Sequence, residues 1–309
     1  MNRLLAILAV LLCACACNFI PLYDLQGNVV IVVDYNLEQQ VYVREGFDPS
    51  GVASFDEKVH GKRPSNIQVQ FYETGTHKLV ASDVLESEGG MMSVSPGSYD
   101  LLIYSMGTKE TQVSGATLGG LQASTEMAAS IITEPDHLYL ARLENVEIEP
   151  VRDDIHTFTT IETTAASILE TWTLEMTDVD GMQNIASCEL YLTTQEGRSF
   201  LWGDRAGNLP GALRLSPYPD FQNRRLYTIF NTFGRYLDYR EKVSAILMVT
   251  NNAGNEYVFD FDVTDQFDNP DNQGHNLVID QHIIIPGDSG AGGLEPVVDP
   301  WWGPIIVTN

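Results

Sequence analysis

The sequence predicts an all-β protein made of sandwich-type sheets. Three observations carry that reading. No long stretch keeps apolar residues at helical spacing, while short runs rich in Val, Ile, Leu, Tyr and Phe recur along the whole chain. Clusters of Gly, Pro, Asn and Asp separate those runs, as turns between strands require. Two stretches, 45–66 and 203–224, are too polar and too broken for strands and predict long surface loops.

The N-terminus comes first. Asn2-Arg3 is a short basic segment, and Leu4 to Leu12 is an apolar run too short to span a bilayer. Cys13, Cys15 and Cys17 then alternate with alanine, and Cys188 is the only other cysteine. Cysteines two apart lie near the geometric limit of an unstrained disulfide, and a disulfide framework would spread them through the fold. No histidine lies nearby to complete a tetrahedral metal site. An apolar run ending Leu12-Cys13-Ala14-Cys15 looks like a bacterial lipobox, with leucine three before the acceptor and alanine one before it. Ala14-Cys15-Ala16-Cys17 is the second choice. The acceptor thiol, Cys15 or Cys17, would carry diacylglycerol. Each buried methylene contributes about 0.8 kcal/mol, so two or more palmitate-type chains tether a protein stably. The expectation is a lipid-anchored protein that does not span the membrane.

Strand-like runs in the first half are 28–35, 66–73, 77–85, 91–96, 98–106, 111–118, 126–133 and 137–150. Pro96-Gly97 is a turn feeding the run that starts at Ser98, since proline fixes φ and glycine permits the reversal. A boundary is expected near 150–154, PVRDD. Beyond it come 157–164, 167–179, 185–195, 225–234, 242–251, 256–265 and 276–286. Asn251 to Asn255, NNAGN, marks a hairpin. After Pro286, the segment GDSGAGG would free a last apolar strand, and periodicity alone does not say which sheet accepts it. The expected layout is therefore 1–14 signal peptide, 15–26 lipidated linker, 27–152 N-terminal sandwich, 153–286 C-terminal sandwich, and 287–309 hinge and terminal strand.

Acidic residues number 42 and basic ones 17, for a net charge of −25. That excludes nucleic acid as a partner, because phosphate neutralisation by Lys and Arg supplies most of such affinity. It also argues against electrostatic adhesion to an anionic membrane, which leaves the lipid to hold the chain. Cys188 reads as a small buried hydrophobe.

Candidate chemistry is thin. Gly287-Asp288-Ser289-Gly290 resembles the segment around a chymotrypsin-like nucleophile. Yet His60, His77, His137 and His156 lack the family's surroundings, and the serine lies too near the end for the strands that should follow. It reads as a glycine linker. Asn269 to Asp280 faintly echoes a calcium loop, but the first and last ligand types are wrong and Pro270 breaks the context. Asp178-Val179-Asp180-Gly181 reads as a turn. The expectation is no enzyme, no catalytic residue, no metal and no cofactor.

Several stretches together resemble a known family: Pro21 to Asp24, the run ending Asp34-Tyr35, Val94 to Tyr104, Glu134 to Tyr139, Phe230 to Gly234, Val263 to Gln266, and Gly292-Gly293 with Val298-Asp299 and Trp301. They are similar to Bacteroidota lipoproteins related to fimbrillins and to anchor subunits of type V pili. The resemblance implies two transthyretin-like Greek-key β-sandwich domains, an outer-membrane lipid anchor and surface exposure. It also implies joining of pilin or fimbrial subunits by strand addition. Ile305, Ile306 and Val307 in the tail Gly303–Asn309 are then the candidate partner-binding strand, and equally the tail folds back to complete its own second domain. The alternative is a glycan- or protein-binding surface module using loops 45–66 and 203–224, with Trp202, Tyr218 and Phe221 as stacking aromatics.

Overall fold

The computed structural model describes residues 27–45, 47–52, 54–150, 158–203, 205–236 and 241–287. The period of two within each run sets the first unit. β1 (Gly27–Asn36) buries Val29, Ile31 and Val33 and turns Val32 out to solvent. A short helix, α1 (Phe55–Val59), lies in the stretch expected to be a bare loop, and buries Phe55 and Val59. β2 (Asn66–Glu73) buries Ile67, Val69 and Phe71. β3 (Leu79–Glu86), β4 (Gly89–Val94) and β5 (Gly97–Ser105) follow. Where longer runs were expected there are only β6 (Gln112–Ser114), β7 (Gln122–Ser124), β8 (Met127–Ala128) and β9 (Ile131–Ile132). β10 (Tyr139–Ile148) and β11 (Phe158–Ser167) complete the set.

These strands close into a barrel in the order β1-β11-β10-β5-β2-β3-β4, where two stacked sheets were expected. The reason is β1, which is paired on both sides and so leaves no edge. It runs parallel to β11 from Asn28↔Phe158 to Asn36↔Ala166 and antiparallel to β4 from Gly27↔Val94 to Val32↔Gly89. Gly89 permits that approach: its φ is +105°, and a Cβ there would lie 2.0 Å from the Ile31 carbonyl oxygen.

The second unit holds β12 (Glu170–Met176), β13 (Val179–Asp180), β14 (Ile185–Glu196), β15 (Arg198–Phe200), β16 (Pro210–Leu215) and β17 (Tyr218–Asp220). β18 (Arg225–Thr232), β19 (Ser244–Asn251) and β20 (Glu256–Asp262) come next. A one-turn helix, α2 (Thr264–Phe267), precedes β21 (Asn276–Ile279) and β22 (Ile283–Ile284). One sheet has the order β17-β18-β12-β21 and the other β20-β19-β14-β16-β9-β8. Trp172, Leu174, Leu192, Phe230, Leu247 and Leu277 share the core between them. The 203–224 stretch is not the loop expected: Leu213 and Leu215 alternate inward and make β16 a strand.

The two units exchange strands. The expected boundary at 152/153 falls outside the described residues, but β11, assigned by sequence to the second unit, pairs with β1 of the first and gives Ile161 and Ala165 to its core. In return β9 pairs with β16, from Ala212↔Ile131 to Leu213↔Ile132, and gives Ile132 to the second core.

Candidate functional site

The stretch 37–65 joins the two units instead of projecting from them. Phe55 and Val59 of α1, with Val41, Phe47 and Val52 beside them, pack on Tyr227 and Ile229 of β18. The Phe47 and Tyr227 rings lie 4.2 Å apart, a pairing that contributes about 0.5–1.5 kcal/mol beyond its buried area. Behind them runs a chain of charges. Arg44 Nη2 lies 2.7 Å from Oε2 of Glu175, whose side chain is wholly buried on β12. Arg225 Nη1 is 3.5 Å from the same oxygen, and Arg225 Nε donates to Asp220 at 2.7 Å. Against the cost of burial, hydrogen bonds from Asn223 and Arg225 hold the Asp220 carboxyl below its ordinary range. Burial first, and then the Glu175 charge, push the Tyr227 hydroxyl well above the usual tyrosine value.

A cleft of about 1030 Å³ opens at this junction. Four cations line it, and each already faces a carboxylate: Lys58 with Glu134 at 2.6 Å, Lys62 with Glu57 at 3.4 Å, Arg63 with Glu88 at 3.1 Å and Lys109 with Glu110 at 2.5 Å. Lys58 Nζ also donates to the Ile229 carbonyl at 2.8 Å. His137 is half-buried there, and burial lowers its pKa. The neutral ring fits both contacts: Nε2–H donates to the Lys58 carbonyl at 3.1 Å, and Nδ1 accepts from Ser167 at 2.8 Å. The four cations of the cleft are thus paired internally, and their chemistry is that of a joint.

Main-chain pairing offers a different kind of site, at the sheet edges. Most outer strands here are only two or three residues long. β21 is longer, and its outward edge is closed by side chains. Its Asn276 and Val278 face away from β12, since Thr173 and Thr177 take the carbonyls of His275 and Ile279. Gln266 Oε1 accepts from Val278 N–H at 2.7 Å, and Gln266 Nε2 donates to the Val278 carbonyl at 2.9 Å. Asn272 treats Asn276 in the same way, accepting from its N–H at 3.1 Å and donating to its carbonyl at 2.9 Å. Two amide side chains thus take the place of a neighbouring strand. The Trp172 ring, stacked 4.3 Å from Phe267 and 4.5 Å from His275, fixes both ends of that lock to the core.

β20 is the contrast. It is the last strand of the six-stranded sheet and seven residues long. Val263 N–H bonds to the Val243 carbonyl and Asn251 N–H to the Asn255 carbonyl, so odd-numbered residues of β20 face β19. Val258 and Asp260 therefore point their N–H and C=O groups outward, and among the described residues no side chain or strand meets them. No Lys or Pro blunts the edge, and its charges, Glu256, Asp260 and Asp262, are all acidic.

The residues singled out by sequence divide three ways. Cys15, Cys17, Ile305, Ile306, Val307, His156 and the Asp288-Ser289-Gly290 part of the linker lie outside the described residues. Others are absorbed by packing. Trp202 lies against the cluster built on Leu118, Leu138 and Leu201 at the junction, and Tyr218 closes its ring on Gly51, while Phe221 remains 61% exposed. Asn269 and Asn272, part of the calcium-like segment, spend their side chains on backbone groups of Asp271 and Asn276. Val179–Asp180 is a strand paired with β22, not merely a turn, and Asp178 and Asp180 both hold Arg224, at 2.8 and 2.6 Å. Cys188 is half-buried, with its thiol pKa raised by that burial. Sequence reading missed the amide lock. Gln266 and Asn272 flank an edge strand, but only the turn geometry between them aims both amides at it.

Neither a protein-family profile nor a curated protein sequence matches the chain. Solved structures do match. A candidate adhesin from Bacteroides ovatus superposes with a TM-score of 0.62 at 14% identity, over 86% of this chain and 94% of that one. The fimbrial anchor protein Mfa2 from Porphyromonas gingivalis gives a TM-score of 0.51 at 12% identity, over 81% of this chain and 89% of that one. The chain shares their fold. The expected all-β class stands, and at these identities the likeness is one of architecture.

Proposed function

We propose that this chain is a non-enzymatic, lipid-anchored surface protein of adhesin or fimbrial type. In this reading Cys15, or Cys17, carries the acyl chains in the outer membrane, and the two β-units correspond to the two transthyretin-like domains of the fimbrillin-related lipoproteins. The partner is a pilus subunit, joined by strand addition through Ile305, Ile306 and Val307. The observation that supports it is the fold likeness over 86% of the chain to the candidate adhesin, seconded by the likeness to a fimbrial anchor. The packing of Trp202 and Tyr218, both half-buried, weighs against loop-borne sugar stacking, since each ring already has a contact within the fold.

Labelled palmitate is expected to enter the wild-type protein in cells and to be absent from a Cys15→Ala, Cys17→Ala double variant. Tagged wild-type protein from native membranes is expected to bring down a pilus subunit, identified by mass spectrometry. Recovery of unlabelled protein free in the periplasm would overturn the anchor, and membranes that yield no such subunit would overturn the fimbrial role.

A further inference from the structure

Among the described residues one sheet edge is guarded by side chains and a longer one is bare. β21 has its two outward residues capped by Gln266 and Asn272, whereas β20 presents Val258 and Asp260 with no partner among the described residues. An exposed seven-residue edge guarded by acidic charge alone still presents a template for pairing, and folded proteins cover such edges. We infer that β20 is the acceptor for the chain's own C-terminal segment Gly303–Asn309, which adds to the six-stranded sheet as an outer strand.

Three observations select this occupant. The first is where the described chain ends. Asn251 Nδ2 donates to the Pro286 carbonyl at 2.9 Å and Asn184 Nδ2 to the Ile285 carbonyl at 2.8 Å. The exit is thus beside the β19–β20 hairpin, at the end of the sheet where β20 begins. The second is reach. The stretch from Gly287 to Gly303 extends to at most roughly 55 Å, and β20 is about 23 Å long, so the segment can reach any part of that edge.

The third is charge. GPIIVTN carries no acidic residue, while β20 carries Glu256, Asp260 and Asp262. A second copy pairing β20 to β20 would bring acidic side chains together across the new ladder, which is destabilising. The side chains of GPIIVTN carry no charge and so bring no such side-chain repulsion, and Ile305, Ile306 and Val307 suit a pleated, half-buried position. Pro304 falls at the start of the segment, where a strand tolerates it. This inference stands on the edge and the tail sequence and holds whether or not the chain serves in adhesion. If a partner also takes the tail, it takes a strand already folded against its own sheet.

Hydrogen exchange read by mass spectrometry or NMR tests it, with the full chain compared against Ile306→Pro and against a chain ending at Trp302. Val258 and Asp260 amides are expected to exchange at least about tenfold faster in both variants than in the wild type. The β19 amides, which report whether the sheet itself is intact, are expected to be unchanged. Rapid exchange of Val258 and Asp260 in the wild-type chain overturns the proposal without reference to any variant. Protection that survives both variants also overturns it, as does protection that rises with protein concentration, which would assign the edge to a second copy.

Discussion

Arg44 and Glu175 stand 2.7 Å apart across the junction of the two units, the first half exposed and the second wholly buried. That asymmetry decides what each contributes. Arg44 is screened by water, so Arg44→Ala is expected to cost about 1 kcal/mol. Arg225 is buried, and its loss leaves Glu175 and Asp220 short of their common partner. Arg225→Met is expected to cost about 3 kcal/mol, because Asp220 loses its guanidinium and buried Glu175 keeps only the water-screened Arg44. Urea unfolding of the two variants, compared at equal m-values, checks the order.

Gln266 occupies the place of a strand beside Val278. Gln266→Ala is expected to cost about 1 kcal/mol, since water replaces the lost bonds at an edge. The double variant Gln266→Ala, Asn272→Ala removes all four capping bonds. It is expected to associate through the uncovered β21 edge, seen as a concentration-dependent rise in mass by light scattering. A strictly monomeric double variant would show that other features keep that edge from pairing.

Gly61 marks where the 37–65 stretch presses on the first unit. Its φ is +62°, and a Cβ there would lie 2.1 Å from the Tyr139 hydroxyl oxygen and 2.8 Å from the Leu37 carbonyl. Gly61→Ala is expected to destabilise by about 1–3 kcal/mol through backbone strain and displacement of the Tyr139 ring. Adding Tyr139→Phe should recover part of that loss, because it deletes the nearer of the two clashing atoms. Thermal unfolding of the single and double variants measures the recovery.

Much of this architecture was legible in the chain. The run 66–73 became β2 without a shift of either end, and 185–195 became β14 with one residue added, because strong period-two patterns bounded by turn residues leave little freedom. β16 was hidden, since Pro210-Gly211 and the polar flanks around Leu213 and Leu215 imitate a loop. The exchange of β11 and β9 between units was not legible at all. Both strands have the right local pattern, and which sheet takes them depends on long-range pairing that no window of sequence contains. The edges divide on the same ground. The acidic character of β20 can be read from EYVFDFD, but the closure of β21 depends on two amides, Gln266 of α2 and Asn272 of the turn that follows it.

His137 gives the junction a pH dependence with a definite sign. Burial lowers its pKa below the ordinary 6.5, so below that value the unfolded chain takes up a proton more readily than the folded one. Its contribution is fully present above about pH 6.5 and is lost as pH falls toward the folded-state value. Protonation would also put a proton on Nδ1, which now accepts from Ser167. Burial outweighs the Lys58 carbonyl and the Asp136 charge, which favour the proton, and the Lys58 charge adds to burial. Melting temperature is therefore expected to fall between about pH 7 and pH 5 more steeply in the wild type than in His137→Gln, whose amide can keep a donor toward the Lys58 carbonyl without titrating. Other acids and histidines titrate equally in both proteins, so the difference between the two curves isolates this residue. Parallel curves would mean that the ring takes up its proton equally in the folded and unfolded chain, as it would if it reached solvent on opening of the joint.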